Sequence, residues 1–205
     1  MRRLAHVVGG SIPPALGLIL PRDALLLFLG AVAAIFIAVE LARLFVEPFN
    51  RWLTSLFSPA AGAFKEAEAA RPIGATYYVA GAFLSFLLFP RDAAVAALFF
   101  AAIGDVAAGV VGQRYGRTRL GRKSIEGTAG FLVAALAVGA ILLLAGLRLT
   151  WAAVLVGALV AALTKLLPIP TALPISVPLL GAASVALVMG MSEVGLLSTL
   201  VRHGL

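Results

Sequence analysis

Hydrophobic positions along the chain fall into long blocks separated by short polar punctuation. Apolar residues run almost unbroken over about 4–20, 24–44, 93–113 and 149–167. Three further blocks lie between Arg71 and Arg91, between Glu126 and Arg148, and from near Val177 to near Leu197. None shows the strict alternation of a half-buried strand. Each is about as long as the roughly 17–25 apolar residues that cross a bilayer as a helix. At 1.5 Å per residue, about 19 residues reach roughly 28 Å. A helix also satisfies its own backbone hydrogen bonds in lipid. The pattern therefore predicts an all-α, polytopic integral membrane helical bundle of about seven transmembrane helices.

Details of the pattern refine that expectation. Pro13-Pro14 predicts a kink in the first span. The stretch 165-KLLPIPTALPISVP-178 carries four prolines and is expected not to form a regular helix. Residues 47–57, EPFNRWLTSLF, open with Pro48 in a first-turn position. They place Phe49, Trp52, Leu53, Leu56 and Phe57 on one helical face. Two readings fit, a short helix lying in the membrane interface or the aromatic-anchored end of the second span. No internal repeat is expected. The chain reads as one membrane-embedded domain over 1–205.

Composition narrows the function classes. The chain is 62% hydrophobic and 12% charged, against about 25% charged in ordinary soluble domains. With no cysteine, thiolate chemistry and disulfides are excluded. His6 and His203 lie at opposite ends, which argues against a histidine-based zinc site. Met1-Arg2-Arg3 ahead of apolar residues resembles the start of a signal peptide, but Pro13-Pro14 interrupts the run, and the segment is read as a retained first span.

Charge then orients the bundle. With seven spans, twelve of the 16 basic residues fall on one side and four, Arg22, Arg91, Arg148 and Arg202, on the other. The positive-inside rule puts the N-terminus and the basic loop in the cytoplasm. The net charge of +7 is thereby assigned to topology and phosphate contact, not to nucleic acid.

The densest polar stretch is 104-GDVAAGVVGQRYGRTRLGRKSIEGTAG-130. Asp105 is a carboxylate within a span, where ionisable groups are costly and usually functional. Gly104, Ala108, Gly112 and Gly116 recur every four residues, a spacing that admits either a neighbouring helix or a ligand. Glu126 sits at the start of a helix with Ser124 and Thr128, where the dipole and backbone N–H groups favour anions. A carboxylate and a phosphate share such a place when Mg²⁺ lies between them, so Asp105 and Glu126 are the candidate metal ligands. The run from Gly116 to Ser124 nearly spells a Walker A motif, but Arg122 spoils the spacing and no strand precedes it. Its glycines, Lys123 and arginines still suit a polyphosphate. Glu40 and Arg43, three residues apart, read as a local ion pair or a functional pair.

These residues resemble a family. Gly104-Asp105, Ala108, Gly112, Gly116, Lys123-Ser124 and Glu126-Gly127-Thr128 are similar to the central motif of the CTP-dependent lipid-alcohol kinases. That family comprises dolichol and polyprenol kinases, phytol kinase and the yeast-type diacylglycerol kinase. Arg2-Arg3 with His6, Glu40-x-x-Arg43, and Glu68 ahead of Gly74-Ala75-Thr76-Tyr77-Tyr78 resemble its other motifs in order. The likeness covers about residues 2–190. One departure concerns the family's Asp-Asn before a proline of the last span: the corresponding stretch here reads Ala172-Leu173-Pro174-Ile175-Ser176-Val177-Pro178, which keeps Pro178 but lacks the acidic and amide residues.

The resemblance implies an enzyme that moves the γ-phosphoryl of CTP to the hydroxyl of a membrane lipid alcohol, with Mg²⁺ as cofactor. It implies Asp105 and Glu126 at the metal, and Arg2, Arg3, Gly112, Gly116, Arg117, Arg122, Lys123, Ser124, Gly127 and Thr128 at the nucleotide. Glu68 or His6 would take the hydroxyl proton. Glu40, Arg43 and Asn50 would face the lipid substrate. Polyprenol, dolichol, phytol and diacylglycerol all remain open as acceptors, and ATP as donor. Two alternatives are a phosphatidate cytidylyltransferase-like enzyme, although no late HGG-x-x-D-R-x-D block is present, and a small transporter or lipid-handling protein. The spaced aspartates of CDP-alcohol phosphotransferases are absent, which excludes that family.

Overall fold

The computed structural model describes residues 2–57, 74–121, 123–166 and 173–202. Within these, side chains at 2–6, 54, 56–57, 173–174 and 192–202 are not described. The fold is all-helical apart from one small hairpin. Its elements are α1 (Arg2–Ile19), α2 (Arg22–Phe45), α3 (Glu47–Phe57), α4 (Gly74–Leu88), α5 (Arg91–Tyr115), β1 (Arg119–Leu120), β2 (Lys123–Ser124), α6 (Ile125–Leu144), α7 (Trp151–Leu166) and α8 (Leu173–Arg202). Every apolar block became one helix. Among the described residues, α2, α5 and α6 are long and apolar enough to cross a membrane; the apolar parts of α1, α4, α7 and α8 are shorter.

The distribution of side-chain size is that of a protein in lipid. The interior is dominated by small residues: Ala82, Ala93, Ala94, Ala96, Ala97, Ala153, Ala158, Ala161 and Ala182 are all fully buried. Large apolar side chains such as Leu27, Phe45, Val133, Ile141, Leu144 and Leu187 face outward. Such a surface on a soluble protein would drive association; small residues inside let helices approach closely where no hydrophobic effect drives them together. The centre is α5, packed against α1, α4, α6, α7 and α8.

Prolines leave helical carbonyls without donors, and neighbouring helices supply them. A proline has no N–H to give the carbonyl four residues earlier. Pro14 orphans the Gly10 carbonyl, and the Tyr78 hydroxyl of α4 donates to it. Pro21 orphans the Gly17 carbonyl, and Arg91 Nε donates to it. Pro90 orphans the Phe86 carbonyl, and Arg22 donates to it at 3.3 Å and to Leu87 O at 3.3 Å. The last two form a reciprocal exchange. Pro-Arg-Asp-Ala occurs at 21–24 and again at 90–93. Each proline precedes a helix with nearly the same backbone angles, φ −58° and ψ 150° at Pro21, φ −54° and ψ 143° at Pro90. Each arginine caps the helix that ends before the other's proline. Asp92 accepts from Arg148 N–H at 2.8 Å. Charge at this end of the bundle is thus used on helix termini.

α1 is one helix with Pro13 and Pro14 inside it. One expectation about prolines is revised. Helix α8 begins at Leu173 and carries Pro178 in its second turn, so the last part of the proline-rich stretch is helical; residues 167–172 lie outside the described residues. The segment 47–57 forms its own helix, α3, packed on α2. Leu53 is buried there, while Trp52 is exposed and lies 5.7 Å from the Phe49 ring.

Candidate functional site

At the other end of the bundle, α5, the hairpin, α6 and α7 enclose a cavity of about 380 Å³. Helix α5 contributes Asp105, Ala108, Gly109, Gly112 and Gln113; the hairpin contributes Arg119, Lys123 and Ser124; α6 contributes Gly127 and Thr128. The last cation comes from the final turn of α7, where Lys165 Nζ lies 2.6 Å from Asp105 Oδ2. Three cations and one carboxylate therefore share one half-open chamber, which is an environment for a multiply charged anion. A volume in this range suits a small ligand.

The local chain explains how these groups meet. Arg119 pairs with Ser124 and Leu120 with Lys123, antiparallel. The two strands are joined by two residues, and Gly121 holds φ +59°, a conformation costly for side-chain-bearing residues. The hairpin turns Arg119 and Lys123 back over the α5–α6 seam. Ser124 then caps α6: its Oγ accepts from Gly127 N–H at 3.0 Å, and the Ile125 N–H is held by Thr118 O at 3.0 Å. Two first-turn donors expected to be free for phosphate are thus occupied, one by the serine cap and one by the Thr118 carbonyl. Ser124 also lines the chamber at this helix start.

The glycine stripe serves helix contact. A Cβ on Gly112 would sit 2.8 Å from Ser124 Oγ. On Gly127 it would sit 2.9 Å from Ala108 O and 3.3 Å from Gly112 Cα. Gly104 receives the Phe131 ring at 2.7 Å in the same sense. The small residues thus bring α5 and α6 backbones together under the cavity, and Gly112 and Gly127 also form its floor. Gly116, where the chain leaves α5, faces Ser124 and is not among the lining residues.

The remaining candidates divide by location. Glu126 Oε1 accepts from Thr118 N–H at 2.9 Å, while its Oε2 is buried and accepts no hydrogen bond. The residue does not line the cavity with Asp105. Among the described residues no group of three or more acidic, histidine or cysteine side chains could hold a metal. The lining offers one carboxylate, Asp105, already paired with Lys165, as a possible ligand for a divalent cation. Arg117 is exposed and outside the lining. Glu68 and Arg122 lie outside the described residues, and Arg2, Arg3 and His6 lie in the first turns of α1 with side chains not described.

Glu40 and Arg43 form the expected ion pair. Arg43 is 1% exposed, and Thr76 Oγ1 donates to Glu40 Oε2 at 3.1 Å. Thr76 and Tyr78, both in the Gly74–Tyr78 stretch, thus tie α4 to α2 and α1. Neither this pair nor Asn50 lines the cavity. Lys165, Arg119 and Gln113 were not singled out in the sequence. The available signal for Lys165 was a lone cation at the end of a span on the same side as Asp105.

Electrostatics within the chamber are uneven. Burial, and then the charge of Lys165, push the Lys123 ammonium below the ordinary lysine value of 10.5, with Asp105 partly opposing. Two lysines crowded around one carboxylate lack half their counter-charge, which an anionic ligand would supply.

No protein-family model matches the chain, and no solved structure matches it. Among curated proteins it is similar to Uncharacterized protein RP860 of Rickettsia prowazekii (strain Madrid E), at 27% identity over 135 residues. The match covers 66% of this chain and 66% of that protein, so the chain spans just under two thirds of the relative it matches.

Proposed function

We propose that the protein is a membrane-embedded phosphotransferase that moves the γ-phosphoryl of a nucleoside triphosphate, CTP by the family resemblance, to the hydroxyl of a membrane lipid alcohol. The observation that carries this reading is the chamber whose lining brings Lys123, Lys165 and Arg119 together with Asp105 at one end of an apolar bundle. In this reading α1, α2, α4, α5, α6, α7 and α8 all cross the bilayer, the shorter ones with their flanking residues. The chamber and the N-terminus face the cytoplasm, in keeping with the positive-inside rule.

Phosphoryl transfer needs positioning and charge neutralisation more than covalent chemistry. Lys123 and Arg119 hold the β- and γ-phosphate oxygens, one as a point charge and the other as a fork. The Ser124 hydroxyl and the α6 dipole face the same oxygens, while the Thr128 hydroxyl donates to the Ser124 carbonyl at 3.1 Å. Asp105 orients the transferring end, and Mg²⁺ bound with the phosphates would supply further neutralisation of the developing charge. Glu126 steadies the hairpin through Thr118. Glu68 or His6 takes the acceptor's proton. The lipid tail stays against the outer faces of the helices, since the alanine-packed interior offers it no room.

The test uses protein in nanodiscs with Mg²⁺ and γ-labelled CTP or ATP. Diacylglycerol, polyprenol, dolichol and phytol are offered in turn. Label entering the lipid phase with one donor and one acceptor is the expected result. No label with any pair refutes the reading; α-label entering lipid when phosphatidate is added would replace it with cytidylyl transfer.

A further inference from the structure

We propose that Lys165 is a phosphate ligand: with Lys123 it forms a two-ammonium seat that takes one phosphate group directly, with no metal ion between. The inference deepens the phosphotransferase reading, on which the choice of phosphate as the anion rests.

Charge is the first argument. The chamber lining sets Lys123, Lys165 and Arg119 against Asp105 alone. Three positive charges less one negative leave an excess of two. A phosphate monoester carries about −1.5 to −2 at neutral pH, so one such group balances the lining. The protein's own cations supply that neutralisation.

Placement is the second. Arg119 is exposed, whereas Lys123 and Lys165 are half-buried. The inner part of the chamber is therefore built from ammonium groups, which meet phosphate as point charges. Lys165 comes from the last turn of α7 and Lys123 from the hairpin, so the two reach the chamber from different elements. They are near enough for the charge of Lys165 to weaken the hold of Lys123 on its proton. An oxyanion between them turns that repulsion into attraction. Asp105 Oδ2, 2.6 Å from Lys165 Nζ, engages one of the three donors of an ammonium and keeps the flexible stem in the lining. Ordering the side chain beforehand lowers the entropic cost of binding. A soluble polyphosphate and a lipid phosphate headgroup present the same oxygens to this seat.

The test uses the full chain in phosphatidylcholine nanodiscs, titrated with inorganic pyrophosphate in EDTA and followed by calorimetry. The chain has no cysteine, so Lys165→Cys carries a single thiol, and alkylation with bromoethylamine rebuilds an ammonium of lysine length on the same polypeptide. Loss of one charged hydrogen-bonding partner predicts about 10–100-fold weaker binding in the thiol form, recovered after alkylation. Arg51→Gln removes the same charge from the exposed face of α3 and should leave the affinity unchanged, which separates a direct contact from general electrostatics. Should the thiol variant not fold, Lys165→Gln must show the loss and Lys165→Arg must keep most of the binding. Phosphatidate added to the discs distinguishes the sources: competition with pyrophosphate assigns the seat to lipid headgroups as well, and its lack assigns the seat to soluble phosphates. Binding that requires Mg²⁺, or equal affinity in the ammonium and thiol forms, overturns the proposal. Lys165-dependent binding without label transfer to any lipid alcohol leaves the seat standing and fells the phosphotransferase reading. Label transfer with pyrophosphate affinity indifferent to Lys165 does the reverse.

Discussion

The tie between Tyr78 and Gly10 offers a double-mutant cycle whose sign follows from covalent chemistry. Pro14 has no N–H, so the Gly10 carbonyl has no donor within α1, and the Tyr78 hydroxyl supplies one. Tyr78→Phe removes that donor and leaves a carbonyl without a partner away from water. An unsatisfied buried acceptor costs about 1–3 kcal/mol; interhelical hydrogen bonds in membranes average about 0.6 kcal/mol, with a maximum near 1.7. The expected cost of Tyr78→Phe is therefore about 1–2 kcal/mol. Pro14→Ala restores a backbone N–H at the right position, and in that background the tyrosine's removal should cost about 1 kcal/mol less. The volume change at the fully buried Pro14 is common to both arms and cancels. Unfolding of the four proteins in detergent, by heat or by graded SDS, measures the cycle. A coupling energy of zero would refute the claim that Tyr78 answers the donor missing at Pro14.

Other expectations follow from the site. Asp105→Asn should leave a folded protein but lower label transfer into lipid by about 10²–10³; near wild-type transfer would remove Asp105 from the chemistry. The lowered pKa of Lys123 means that nucleotide affinity should fall with rising pH earlier than an ordinary lysine would allow. Lys123→Ala should weaken binding at neutral pH and abolish that alkaline limb. The same shift works oppositely on stability: the unfolded chain binds the extra proton, so the penalty for burying charged Lys123 is full below its folded pKa. It is relieved as pH rises toward the unfolded value of 10.5, an increase that Lys123→Met should erase in unfolding curves. Gly127→Ala, which drives a methyl to 2.9 Å from Ala108 O, should cost about 1–3 kcal/mol by overpacking. Gly109→Ala meets nothing within 4 Å and should leave thermal stability at least unchanged; the reverse ranking would contradict the close α5–α6 seam.

Much of the fold was readable because lipid imposes a coarse rule. Blocks bounded by Arg22, Arg91, Glu126 and Arg148 became helices with ends within a few residues of those charges. Asp105, Lys123, Ser124 and Thr128, which line one cavity, stood out for a related reason: in so apolar a chain, each polar residue is conspicuous. What escaped depended on distance in the chain or on local backbone choice. Lys165 meets Asp105 only through the packing of α7 beside α5, which no local pattern encodes. The carboxylate of Glu126 turns to Thr118 N–H because the hairpin brings that donor to the start of α6. The glycine stripe suited two partners equally, and helix α6 took the place beside it. The proline-orphaned carbonyls were predictable as vacancies, but their donors, Tyr78, Arg91 and Arg22, come from helices about 64–74 residues away.

The ion pair between α5 and α7 also bears on how the chain is made. Asp105 and Lys165 are separated by about sixty residues. At a synthesis rate of about 5–20 residues per second, Asp105 leaves the ribosome roughly 3–12 s before Lys165 exists. During that interval the carboxylate must wait in the translocation channel, at the headgroup level, or in company with Lys123, which follows it in the same helical hairpin. Arrival of α7 then brings Lys165 onto Asp105, with α8 still to be added, so a chain truncated before Lys165 should present quality-control proteases with a carboxylate that lacks the ion pair of the finished protein.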